Sequence, residues 1–264
     1  MLTRYDIAVH LLPPVIYESS VVSIRDINSS SFEQAEYALE EGTVVFVRSG
    51  GFAGSTGRNT FDLDANYVFF GGSHDYIYAN ANLGEASACT VIRYSGATFA
   101  APALHEKLVL CSPSAYLSHA RLVRALRAGS PAEALDNAAL ALVCDALTAV
   151  PNGDVRRYER TYMICAIKEL VNQSLSKPVS LAALAKQFYL SPFAVSRAFH
   201  QETGISLRRY SQRLRLRKAL MLMVEHEFPL REVASTLGFY DEPHFSKAFH
   251  AEFGMPPGRA FADL

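Results

Sequence analysis

Two nine-residue strings set the same chemistry at the same helical angles, fifty positions apart. The first is Ser196-Arg197-Ala198-Phe199-His200-Gln201-Glu202-Thr203-Gly204, and it returns as Ser246-Lys247-Ala248-Phe249-His250-Ala251-Glu252-Phe253-Gly254. At about 100° per residue, Val195, Ala198 and Phe199 share one face of a helix, with Phe193, Ser196, Arg197 and His200 opposite. In the second string Phe245, Ala248 and Phe249 point inward, while Pro243, Ser246, Lys247 and His250 point out. Each helix would thus expose a hydroxyl, a cation and an imidazole, a set able to bond base edges and phosphate oxygens. The bland alternative is the solvated face of an amphipathic helix. Repetition in register weighs against it.

The flanking residues predict what would position these helices. Ser180 can cap a helix over Leu181–Phe188, Tyr189-Leu190 make a turn, and Ser191 caps the next helix with Pro192 at its first position. Downstream, Leu230–Leu237 echoes that first helix, Gly238 turns the chain, and Asp241 caps the second. Gly204 and Gly254 stand where helices end in a left-handed residue. The segment between the modules, Ser206–Val224, contains no carboxylate but holds Arg208, Arg209, Arg213, Arg215, Arg217 and Lys218. Arg209, Arg213 and Arg217 recur at every fourth position as one basic stripe. Leu207, Tyr210, Leu214 and Met221 occupy one apolar side, and Leu216, Leu220 and Met223 another. A helix with two apolar sides is gripped between neighbours, which argues against a basic helix lying on a membrane.

On these residues the last hundred positions resemble the DNA-binding domain of AraC/XylS-type bacterial transcription regulators. The matching elements are Ser191-Pro192, Ser196-Arg197-x-Phe199, Glu202-x-Gly204, Tyr210 with Arg215-Leu216, Ala234-x-x-x-Gly238-Phe239, Phe245-x-Lys247-x-Phe249 and Phe253-Gly254-x-Pro256-Pro257. The resemblance implies seven helices, with two reading helices in successive major-groove turns about 34 Å apart. Carried over by position, base contacts fall to Phe193, Ser196, Arg197, Glu242, Pro243, Ser246 and Lys247. Phosphate or groove contacts are expected of Ser191, His200, Arg209, Arg213, Arg217, Asp241 and His250. Three positions depart from the family pattern. Pro243-His244 replaces a polar pair, Lys247 stands where Arg is common, and Ala260-Phe261 replaces a terminal Tyr-Arg. A lysine makes a point contact where arginine is bidentate, so the second module is expected to grip phosphate more than it reads bases.

Charge is divided along the chain. Residues 165–264 carry 13 Lys and Arg against 9 Asp and Glu (net +4), and the remainder 12 against 17 (net −5), within an overall net charge of −1. The basic half is modest, which predicts modest non-specific DNA affinity. At 264 residues two domains are expected. No apolar run reaches membrane-spanning length and Met1-Leu2-Thr3-Arg4 opens no signal peptide, so a cytoplasmic protein without membrane contact is expected. Cys89, Cys111, Cys144 and Cys165 are widely spaced and read as buried free thiols.

The first hundred residues hold short β-rich runs, Thr43–Val47, Thr60–Leu63, Tyr67–Phe70, Tyr76–Tyr78 and Ala88–Tyr94, separated by turn signals such as Ser49-Gly50-Gly51 and Gly71-Gly72. Such strands suggest a small barrel or jelly roll, and the family resemblance makes it a cupin-like sensing domain. His74, His105 and His119 lack the His-x-His pair of metal-dependent cupins, and no nucleophile motif is present. No metal, cofactor or catalytic residue is expected. Tyr67, Phe69, Tyr76, Tyr78 and Tyr94 are candidates to line an effector pocket, with plain core as the alternative. Ser114–Ala128 and Ala132–Ala149 read as two helices packed into an antiparallel hairpin with an apolar stripe left for dimerisation, and Pro151-Asn152-Gly153-Asp154 as a linker before a helix over Arg156–Asn172.

The expected fold class is multidomain α+β. A cupin-like β-barrel or jelly roll would cover 1–104, a helical connector 105–153, and an all-α domain 154–264 with two helix-turn-helix modules (180–204 and 229–254) joined by a helix over 206–224. The expected function is sequence-specific transcription regulation through double-stranded DNA, responsive to a small-molecule effector, as a homodimer, and with RNA polymerase as partner if it activates. The alternative is a cupin-type small-molecule-binding protein or enzyme carrying a DNA-binding tether.

Overall fold

The computed structural model describes residues 9–10, 15–29, 36–40, 42–55, 60–72, 75–79, 87–94, 107–148, 162–177, 179–225 and 228–261. His74, His105, the Pro151–Asp154 linker and the start of the helix expected from Arg156 lie outside them. The chain divides into two compact units: Met1–Cys111 with Pro131–Arg157, and Ser112–Ser130 with Tyr158–Leu264.

The first unit contains strands β1 (Val9–His10), β2 (Val15–Glu18), β3 (Val22–Ser29), β4 (Glu36–Ala38), β5 (Thr43–Ser49), β6 (Gly51–Ser55), β7 (Thr60–Asp64), β8 (Tyr67–Gly71), β9 (Tyr76–Ala79), β10 (Ser87–Tyr94) and β11 (Lys107–Leu110), with helix α2 (Ala132–Thr148). They form a five-stranded sheet ordered β1-β4-β9-β6-β7 and a six-stranded sheet ordered β11-β8-β5-β10-β3-β2. Pairing is antiparallel except between β1 and β4. Inner strand β5 is buried on both faces, which its unbroken Val-Val-Phe-Val run anticipates. The sheets meet where Phe61 of β7 lies 4.6 Å from Phe69 of β8. Phe69 therefore fills core. Tyr67 and Tyr94 are also buried, Tyr76 is half-buried, and the Tyr78 side chain lies outside the described residues.

The second unit holds α1 (Pro113–Arg127), α3 (Tyr162–Gln173), α4 (Leu181–Gln187), α5 (Pro192–Thr203), α6 (Leu207–Glu225), α7 (Leu230–Thr236) and α8 (Glu242–Phe253), closed by a 3₁₀ turn at Pro257–Arg259. Among the described residues after 153 there are five α-helices before α8, six with it, and one 3₁₀ turn, against the seven helices that the family resemblance implies. The two connector helices, expected as a hairpin, fall in different units. Helix α2 packs on β3, with the Tyr17 hydroxyl donating to Asp136 Oδ1 at 2.8 Å and to the Ala132 carbonyl. Helix α1 packs instead on α6 and α8. Three arginines on successive turns of α1 fasten it: Arg121 donates to the Ala260 carbonyl, Arg124 to that of Phe261 and Arg127 to that of Glu225. Apolar periodicity reveals a helix's buried face but not which partner covers it, so the two helices read as a pair. Cys89 and Cys111 are buried free thiols as expected, whereas Cys144 is exposed on α2 and Cys165 half-buried. Burial pushes the Cys89 thiol pKa well up.

Helix α6 is the centre of this unit. Both expected apolar sides are covered, Leu207, Tyr210, Leu214 and Met221 as well as Leu216 and Leu220, with only Met223 half-buried. Two of its arginines go inside as well. Arg217 is 0% exposed, its guanidinium 4.8 Å from the centre of the Tyr116 ring of α1, a contact that a desolvated cation makes worth about 2 kcal/mol. Arg213 donates through Nε to Glu252 of α8 at 3.2 Å, and Arg209 reaches the other oxygen of that carboxylate at 2.6 Å. The Glu252 side chain is 0% exposed, so removing it strands Arg213 in the interior. Glu252→Ala is expected to cost about 3–5 kcal/mol, measured as a drop in the urea midpoint. A loss below about 1 kcal/mol would show that water already solvates the arginine.

The two modules turn differently. In the first, Tyr189 takes φ 55°, alone among the described non-glycine residues in being left-handed. In the second, Gly238 takes φ 67° at the matching place, and a Cβ there would collide with the Ser176 carbonyl oxygen. The left-handed region costs an L-residue about 1–2 kcal/mol. Tyr189→Gly is therefore expected to raise unfolding stability by about 1 kcal/mol, whereas Gly238→Ala lowers it by about 2 kcal/mol or more. Equilibrium urea unfolding of both variants checks the pair, and equal effects of one sign would contradict it.

Candidate nucleic-acid interface

Each reading helix begins at a side-chain cap. Ser191 accepts from the Ala194 N–H at 3.1 Å at the start of α5, with Pro192 in the first turn, and Asp241 accepts from the His244 N–H at 2.7 Å at the start of α8. Ser180 caps α4 through Ala183. Gly204 and Gly254 end α5 and α8 in left-handed conformation at φ 78° and 74°. The first helices repeat at 49 residues and the reading helices at 50, because the second turn holds one extra residue. Leu190 N–H bonds the Ala185 carbonyl, and Phe239 N–H bonds that of Ala234 in the same way. Ser191 follows Leu190 directly, whereas Tyr240 intervenes before Asp241.

The inward faces are those expected. Val195 and Phe199 are buried, Phe199 meeting Tyr210 of α6 edge-on at 5.2 Å. Phe239, Phe245, Phe249 and Phe253 form a chain of aromatic contacts at 5.2, 5.7 and 4.6 Å. Ala198 and Ala248 are half-buried. On the outward faces Phe193 is 74% exposed, Arg197 and His200 are exposed and Ser196 is half-buried. Glu242, Pro243, Lys247 and His250 are likewise exposed, with Ser246 half-buried. The structure thus gathers Phe193, Ser196, Arg197 and His200 on one free helix face, and Pro243, Ser246, Lys247 and His250 on the other.

Three expected phosphate contacts need correction. Arg213 and Arg217 are buried and engaged by Glu252 and Tyr116, so they offer nothing to an approaching backbone. The fourfold spacing found a stripe, but that stripe faces the interior of the unit over much of its length. Asp241 is exposed, yet its carboxylate caps α8, and an ionised carboxylate has only acceptors, as phosphate does. Arg209 remains half-exposed beside Glu252, and Ser191 is exposed while capping.

Sequence reasoning missed two positioning residues. Arg215 donates to the Leu237 carbonyl through Nε at 3.0 Å and Nη2 at 2.6 Å, its guanidinium 4.2 Å from the centre of the Phe239 ring. It braces the turn that aims α8, and burial lowers its pKa from the usual arginine range. Glu252 falls three residues after Phe249, on the buried side of α8. A carboxylate at that angle demands a cation, and the arginine-rich α6 was the place to look. Tyr189 (96% exposed) and Leu190 (45%), expected only as a turn, and Tyr240 (92%) stand open to solvent beside the reading helices in sequence.

Comparison with known proteins places this geometry. A helix-turn-helix domain family matches residues 184–262. The probable transcriptional regulator LumQ of Photobacterium leiognathi is 34% identical over 106 residues, covering 40% of this chain and 42% of that protein. The transcriptional activator RhaS of Shigella boydii is 42% identical over 79 residues, covering 30% of this chain and 28% of RhaS. The matched segment thus spans less than half the length of these relatives. Among solved structures, a transcriptional regulator with an AraC-type DNA-binding domain from Chromobacterium violaceum aligns with 39% of this chain and 91% of its own, at 24% identity and a TM-score of 0.36. Residues 184–262, with their paired modules and matched caps, match a helix-turn-helix domain family, and the relatives that share this segment are named as transcriptional regulators.

Proposed function

We propose that this chain is a DNA-binding transcription regulator that reads two successive major-groove segments with α5 and α8. The observation that carries the reading is the matched pair of exposed faces, Phe193-Ser196-Arg197-His200 and Pro243-Ser246-Lys247-His250, each backed by a buried aromatic face. Arg197 is the principal base reader, its fork suited to guanine O6 and N7. Ser196 and Ser246 bond base edges or phosphate, Phe193 and Pro243 offer apolar contact to a thymine methyl, and Glu242 faces a cytosine amino group. Lys247, His200, His250, Ser191 and Arg209 hold the backbone.

The first unit serves as a cupin-like sensing domain that binds a small-molecule effector, with half-buried Tyr76 the best placed of the aromatic candidates to meet it. An effector acts only through different affinities for two arrangements of the protein. The protein works in the cytoplasm as a homodimer, with RNA polymerase as partner if it activates. No described helix is long and apolar enough to cross a membrane. The relatives are named as regulators rather than enzymes, and this reading assigns no catalysis.

Selection of bound duplexes from a random pool tests the proposal; enrichment of a two-part motif spaced by about 10 base pairs is expected, and recovery of unenriched sequence would sink it. Arg197→Ala is expected to lose about 1–3 kcal/mol on the selected site, with little change on random duplex. Arg209→Ala should weaken binding to every sequence and lower the slope of log affinity against log salt by about one unit; an unchanged slope removes Arg209 from the interface.

A further inference from the structure

A cleft of about 1010 Å³ opens in the helical unit, away from both reading faces, where the ends of α1 and α6 meet the start of α7 and the 3₁₀ turn. Its walls include Met223, Phe228, Leu230 and Phe261, and Arg124 and Arg127 stand in it from the last turn of α1. Each of these arginines donates to one backbone carbonyl, Phe261 and Glu225 respectively, at 3.0 Å. Neither forms an ion pair with a described carboxylate. A guanidinium carries five N–H donors, so both retain donors for a ligand. The cleft is open and mixed in character, two exposed guanidinium groups standing beside half-buried Met223, Phe228, Leu230 and Phe261. A concave site that sets charged donors beside apolar side chains suits a ligand with a charged head and an apolar body.

The geometry points to a binding site for an organic monoanion with an apolar, aromatic-sized body. Its carboxylate pairs with Arg124 and Arg127, each guanidinium offering a fork of N–H donors suited to a carboxylate, and its body lies against Phe228, Met223 and Leu230. A bound ligand touches α1, α6 and α7 together, so it tightens the seat of α1 beside the second helix-turn-helix module. This site goes beyond the DNA-reading faces and is tested without DNA, so failure of either leaves the other standing.

The test uses the full chain and three probes: 4-phenylbutyrate, 4-phenylbutanol (same body, no charge) and inorganic phosphate (charge, no body). Calorimetric titration is expected to show saturable binding of 4-phenylbutyrate, at least tenfold weaker binding of the alcohol, and none of phosphate. At saturation the acid should raise Tm by about 5 °C. Arg124→Gln with Arg127→Gln should weaken the acid at least tenfold. Those arginines also brace α1, so a second variant separates binding from folding. A Cβ at Gly258, in the cleft wall, meets no atom within 4 Å. Gly258→Leu should therefore fill the cleft, leave the unliganded Tm unchanged and abolish binding. No heat from the acid overturns the site, as do equal affinities of acid and alcohol. Undiminished binding by Gly258→Leu places the ligand elsewhere and overturns it too.

Discussion

Helix α6 carries Arg213 and Arg217 into the interior, and a buried charge without a partner costs several kcal/mol. The helical unit is arranged around meeting that demand. Glu252 answers Arg213 and thereby fixes the rotation of α8, since no other angle brings its carboxylate to α6. Tyr116 answers Arg217 and thereby fixes α1 against the same helix. With α8 held at that rotation, Lys247 and His250 necessarily face outward. The exposure of the second reading face is thus a consequence of an ion pair on its far side.

The two modules reach the same outline by unequal means. The first turns through a left-handed tyrosine and buries Phe199 on α6. The second turns through Gly238, inserts Tyr240, and stacks four phenylalanines beneath its reading face. Arg215 adds a brace on the second turn through Leu237 and Phe239. Module two is therefore the more heavily fastened, although under the proposed function its outward side chains, Pro243 and Lys247, are the poorer readers. Firm placement with weak hydrogen-bond vocabulary suits a module that anchors the backbone while the first discriminates bases.

Much of the helical unit was legible along the chain because its signals are local. Caps at Ser180, Ser191 and Asp241, the glycines at 204, 238 and 254, and the threefold and fourfold recurrence of apolar residues depend only on neighbours a few positions away. The five strands read from β-rich runs are present for the same reason. Strand β3 escaped notice because Arg25, Asp26 and Asn28 interrupt its apolar pattern, and those side chains find partners across the sheet, Arg48 bonding both Asp26 and Asn28. The basic stripe was misplaced because spacing identifies residues that share a face but not what that face meets.

Sequence by itself determined the helices, five of the strands, the caps and turns of both modules, the inward and outward sides of both reading helices, and the resemblance of the last hundred positions to a known DNA-binding domain. Each of these follows from backbone geometry and side-chain chemistry within about one turn of helix. Tertiary structure alone decided that α1 belongs to the unit of α6 and α8 and α2 to the other, that Arg213 and Arg217 are interior while Arg197 and Lys247 are free, and that Glu252 and Arg215 aim the second module. Those outcomes depend on which surface arrives opposite a given face, over separations of 22 to 139 residues, and no local pattern encodes that choice.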